Sequence, residues 1–220
     1  MTDYTTDHRL KLEAYLATHT LPEGLGDEES ACTLAAINLA MSGKLTDKIP
    51  ACMSEVLGKA AIALQDEMPT EMRNSLRYKS LIPDMPGTGR AQEKERLSIL
   101  MDWMWSVVLP QTQPIADERG FGAQWQSMCR KKTAAAARAA ARAARAARLA
   151  SAAADAAAAR AAARAALAAD AADANAALAA DAVARAFAAA RAAAARADFW
   201  STVDPIGVLE RMTYLTGARP

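Results

Sequence analysis

Forty-four of the 64 residues from Ala134 to Ala197 are alanine, and neither glycine nor proline occurs between Ala123 and Asp204. Alanine is the strongest helix former, and its methyl group buries little apolar area. The tract is therefore committed to helix while carrying little with which to build a core. The 52% hydrophobic share of the chain overstates its core-forming capacity for the same reason, since only 5% is aromatic.

The phase of the other residues shapes the expectation for this arm. With Arg138 at zero and about 100° per residue, Arg142, Arg145, Arg160, Arg164, Arg185 and Arg196 gather on one side. The opposite side is nearly pure alanine, broken only by Ser151, Val183 and Phe187. A tight turn would normally reset the phase. The shared phase thus favours one mostly continuous helix, about 96 Å long at ~1.5 Å per residue, over a helical hairpin with a turn at Leu149–Ser151 or Asp170–Asn175. A bare face lets two backbones approach closely, so it is expected to self-associate around Ser151, Val183 and Phe187. Phe199 and Trp200 close the arm. Beyond them Ile206, Val208, Leu209, Met212 and Leu215 form the apolar face of a short helix opened by Asp204-Pro205. If the arm is straight, Leu209 and Met212 must dock on a partner subunit, most simply in a two-fold dimer.

Charge divides the chain. Residues 1–129 carry 12 Lys/Arg and 18 Asp/Glu, residues 130–198 carry 12 Lys/Arg and 5 Asp, and residues 199–220 carry two of each. Net values of −6, +7 and zero lie behind the overall +1. The expected organisation is an acidic all-helical head over 1–129, a basic Ala-rich arm over 130–198 and a C-terminal docking helix over 199–220.

The head reads as all-α. Helices are expected at Arg9–Thr18, from Asp27 to Ser42 with Gly43 at C′, from Ile49-Pro50 with Met53, Val56, Leu57, Ala60, Ala61 and Leu64 on one face, and from Pro69 to Tyr78. A turn-rich stretch, Pro83–Gly89, leads into a helix over Arg90–Leu109 and another over Gln111–Arg119, ended by Gly120. Met101, Trp103, Met104 and Trp105 read as core.

No catalytic constellation stands out. His8 and His19 are the only histidines; Cys32, Cys52 and Cys129 lack metal spacing and fit a reducing compartment. The Pro86–Arg90 loop precedes a helix, where an anion would bind, but it lacks the Lys-Ser/Thr of a P-loop and a preceding strand. An ordinary helix-leading loop is the stronger reading. The acidic groups Glu23/Asp27/Glu28/Glu29 and Asp66/Glu67/Glu71 have no histidine partner for a di-metal centre. A non-enzyme without metal or cofactor is expected. Arg130-Lys131-Lys132 with Arg138, Arg142, Arg145, Arg148, Arg160 and Arg164 offers a second reading, a basic stripe contacting phosphates, although no aromatic residue interleaves it. No signal peptide or membrane-length apolar run is evident, so a cytoplasmic protein without a membrane partner is expected.

The stretch Glu29–Pro69, with ACTLAAINLAMSGKLTDKIPACMSEVLGKAAIALQDEMP from Ala31 onward, the later ERLSILMDWMW and the closing DPIGVLERM resemble helical proteins of phage and prophage genomes that carry Ala-rich arms and no assigned activity. The resemblance spans nearly the whole chain and carries no functional residue. It implies a structural part or a binder of a host protein. The expectation is thus a non-enzymatic protein-interaction and assembly protein, a homodimer through its alanine face, possessing as its alternative function the binding of nucleic acid through the arginine stripe.

Overall fold

The computed structural model describes residues 3–146, 164, 176–194 and 199–215. These residues form helices without a strand; an isolated bridge joins Gly26 and Ala31. In chain order the helices are α1 (Thr6–Thr18), α2 (Thr33–Ser42), α3 (Glu55–Glu67), α4 (Thr70–Arg73), α5 (Leu76–Leu81), α6 (Glu93–Trp103), α7 (Gln113–Glu118), α8 (Gly122–Lys131), α9 (Ala134–Ala146), α10 (Ala176–Ala194), α11 (Phe199–Val203) and α12 (Pro205–Thr213). A 3-10 turn, Ile82–Asp84, follows α5; a π-helical segment, Met104–Val108, and a 3-10 turn, Leu109–Thr112, continue α6. No described helix is long and apolar enough to cross a membrane.

The chain divides into two compact units, Met1–Arg96 with Pro205–Pro220, and Leu97–Asp204. The boundary falls inside α6, not at the charge boundary near residue 130. Alanine helices supply backbone but little side-chain volume. In the second unit Trp103, Trp105, Phe121, Trp125 and Met128 are buried and supply that volume.

In the first unit, α1 opens with a capping box: Thr5 Oγ1 accepts the His8 N–H and His8 Nδ1 accepts the Thr5 N–H. α2 starts six residues later than its acidic first turn suggests. Asp27 Oδ1 accepts the N–H groups of Glu29 and Ser30 at 3.0 and 2.8 Å, and the Asp27 N–H donates to the Ser30 carbonyl. This local turn offers the backbone an alternative to helix. Gly26 (φ 76°) permits it, since a Cβ there would lie 1.7 Å from the Ser30 oxygen. Gly43 does end α2 in the left-handed region, at φ 67°.

α3 begins after Ser54, whose hydroxyl accepts the Leu57 N–H, and not at Pro50, which sits in a separate turn. Its expected apolar face is buried throughout. Glu93 completes this helix start from 38 residues away: Oε1 accepts the Glu55 N–H at 2.7 Å, and Oε2 accepts the Val56 N–H and the Ser54 hydroxyl. A carboxylate over the first turn satisfies free amides and complements the helix dipole.

α12 belongs to this same unit. Ile206, Val208, Leu209 and Met212 are buried, and Glu210 takes two bonds from Arg77, to Nε at 3.1 Å and Nη2 at 2.6 Å. The C-terminal helix therefore docks on its own chain, and the expected exchange onto a partner is unnecessary.

In the second unit the left-handed Lys132 (φ 52°) ends α8, and Thr133 Oγ1 accepts the Ala136 N–H to open α9. Lys132 Nζ bonds Asp102 Oδ1 at 2.9 Å and Ser106 Oγ at 2.8 Å. α9 packs on α8, while α8 and α10 both pack on the turn Leu109–Thr112. The segment between α9 and α10, with both candidate turns at Leu149–Ser151 and Asp170–Asn175, lies outside the described residues apart from Arg164, and the expected continuity of the arm with it.

Candidate functional site

The α8–α9 pair carries an ordered division of side chains. On α9, Ala137, Ala140 and Ala144 are fully buried and Ala134 and Ala141 nearly so. Arg138 and Arg142, one turn apart, are exposed and make no ion pair among the described residues. Arg130 and Lys131 extend the exposed basic surface along the end of α8, while Lys132 is held by Asp102. Beside this ridge runs a groove of about 540 Å³ whose walls include Gln124, Ser127, Lys131 and Ala135. Like charges one turn apart repel within a helix, so the isolated helix gains nothing from this row.

Arg145 lies on α9, though its side chain falls outside the described residues, as do Arg148 and Arg160 entirely. Arg164 is helical and exposed.

The residues expected to form the self-association face are placed differently from that expectation. Val183 and Phe187 are 1% and 0% exposed. The Phe187 ring centroid lies 5.3 Å from that of Trp103, 5.9 Å from Phe199 and 5.8 Å from Trp200. Trp103 Nε1 donates to the Val203 carbonyl at 2.6 Å, and the Arg191 guanidinium sits 5.3 Å from the centroid of the half-buried Trp200. Leu209 and Met212 are fully buried in the first unit, and Ser151 lies outside the described residues. Val183, Phe187, Phe199, Leu209 and Met212 thus serve the cores of their own units. Burying a large apolar side chain is favourable in proportion to the area removed from water.

The Pro86–Arg90 loop is fastened rather than open. The Gly87 and Gly89 N–H groups both donate to the Cys52 carbonyl, at 3.0 and 2.9 Å, and Arg90 Nη1 pairs with Glu55. Its glycine amides are thereby spent. Of the acidic residues singled out, Asp27 closes its turn and Asp66 Oδ1 accepts the Gly24 N–H at 2.9 Å. Among the described residues, no cluster of three or more His, Cys, Asp or Glu is placed to hold a metal. Burial pushes the Cys32 thiol above its usual range and raises Cys129 to about 11, so both stay protonated and poorly nucleophilic near neutrality.

Sequence reasoning missed Glu93 as the cap of α3 and Arg96 as a buried cation. Both sit in the charged run before Leu97, which carries no signal separating them from solvated neighbours. Comparison with protein-family models, with curated proteins and with solved structures finds no match to this chain.

Proposed function

We propose that the protein is a non-enzymatic binding protein whose contact surface is the α8–α9 basic ridge. The observation that supports this reading most is the orientation of α9, with alanines inward and Arg138 and Arg142 outward. Between Arg119 and Ala154 the sequence has seven Lys/Arg and no Asp or Glu, so little along this run neutralises the row locally. The exposed cations are then available to an acidic partner surface, which they would steer and register more than they would tighten. The groove beside Lys131 offers such a partner a small-residue floor. The resemblance to phage-encoded helical proteins is compatible with a host protein as that partner.

A nucleic acid is the second reading, favoured by the same uninterrupted run of positive charge. Fluorescence anisotropy separates the two. An acidic polypeptide, poly-glutamate, and a short DNA duplex are each titrated with the full chain at two salt concentrations. Binding of the polypeptide, lost when Arg130, Lys131, Arg138 and Arg142 are all replaced by Ala, supports the first reading. Preference for the duplex, with affinity falling steeply as salt rises, supports the second. Equal behaviour of wild type and the fourfold variant toward both probes overturns the ridge as a contact surface.

A further inference from the structure

The first unit contains a cleft of about 410 Å³ whose walls include Tyr4, Arg9, Asp84, Thr88, Arg96 and Tyr214. Its charges do not balance. Asp84 is the carboxylate on its wall, and both oxygens are engaged: Oδ1 accepts Arg9 Nη1 at 2.5 Å, and Oδ2 accepts the Tyr214 hydroxyl. Arg96 has no such partner. It is 2% exposed; Nε donates to the Met212 carbonyl at 3.0 Å and Nη2 to the Thr88 carbonyl at 3.1 Å. Its Nη1 is buried with no acceptor, and so is the Tyr4 hydroxyl.

A buried cation hydrogen-bonded only to carbonyl groups carries a desolvation penalty that those bonds offset only in part. Burial pulls the Arg96 proton affinity below its usual range, with Glu93 and Glu95 opposing it. Glu93, whose oxygens accept the N–H groups at the start of α3, makes no hydrogen bond to the guanidinium and acts on it only through space. The same desolvation raises the Tyr4 hydroxyl to about 12, which keeps it a donor at any physiological pH. Two residues that each carry a buried, unpartnered donor, one of them charged, thus line one cleft.

We propose that this cleft binds a small oxyanion, a carboxylate- or phosphate-bearing molecule, held by Arg96 Nη1 and the Tyr4 hydroxyl. A guanidinium donor suits either group, and the cleft volume falls within the range of small-ligand sites. The anion supplies a directly bonded countercharge and the two missing acceptors together. The proposal is independent of the basic ridge and of the closed Pro86–Arg90 loop amides.

The test is isothermal titration of the full chain with inorganic phosphate and, separately, with acetate, chloride holding ionic strength constant. Saturable heat with at least one anion is expected. Phosphate alone points to a phosphate ester, acetate alone to a carboxylate. Tyr4→Phe should weaken binding about tenfold, and Arg96→Met should abolish it with the helical circular dichroism retained. Should Arg96→Met not fold, Tyr4→Phe decides, since it removes one hydroxyl and keeps the ring. Absence of saturable heat with both anions, or wild-type affinity in Tyr4→Phe or in folded Arg96→Met, overturns the proposal.

Discussion

Phe187 lies in the middle of an alanine tract with its ring centroid 5.3 Å from that of Trp103, and both side chains are buried. Alanine helices leave space that only bulky neighbours fill, so this pair carries a large share of the second unit's packing. Phe187→Ala should cost ~3–5 kcal/mol, read from urea unfolding. Arg185→Ala, two residues away and exposed, should stay within about 0.5 kcal/mol. Equal small effects would mean that the tract does not pack as described.

Gln65 is the centre of a buried polar network in the first unit. Its Oε1 accepts the Thr33 N–H at 2.7 Å and the Thr33 hydroxyl, its Nε2 donates to the Pro22 carbonyl, and Thr33 also bonds Tyr78. Gln65→Leu strands several buried groups at once and should cost at least ~2 kcal/mol. Tyr78→Phe removes one hydroxyl and should cost about 1 kcal/mol. Denaturant midpoints of the two variants check the order; the reverse order would contradict the network.

Glu93 holds the start of α3 by three bonds across 38 residues of sequence. Glu93→Ala should therefore destabilise by ~2 kcal/mol, more than an ordinary N-cap loss of about 1 kcal/mol. Glu93→Gln, which keeps one acceptor, should fall between. A Glu93→Ala variant as stable as wild type would remove this role.

The folded state holds Cys129 as a thiol up to about 11, against an ordinary value of 9.0. A group whose folded value is raised contributes stability below its unfolded value and loses it as pH climbs to the folded one. Stability should thus decline from about pH 9 towards pH 11, and Cys129→Ala should flatten that decline. Guanidinium midpoints measured across this window test it. A steeper decline in the variant would contradict the assignment.

Several features were legible because they are local. The left-handed Gly43 and the face from Met53 to Leu64 follow from a single residue's conformational freedom and from spacing. The starts of α2 and α3 were not legible. Asp27 closes a turn with its own side chain, and α3 is capped by Glu93 from a distant segment. In the arm, the phase put arginines and alanines on opposite sides, which α9 bears out at Arg138 and Ala140. What the alanines pack against was not readable, since a methyl group specifies no partner. Val183 and Phe187 were the available signal: large apolar side chains on that face mark it as a core surface of its own unit.

The direct test of alanine-in, arginine-out packing is a double substitution on the buried side of α9, Ala140→Leu with Ala144→Leu, followed by light scattering and urea unfolding. Both positions are fully buried, so the added bulk should destabilise the chain by ~1–3 kcal/mol per site. The solution mass should stay that of the wild type. A wild-type mass of two chains that falls to one in the variant, with the unfolding midpoint unmoved, would instead make the alanine face an interface between copies and contradict the account.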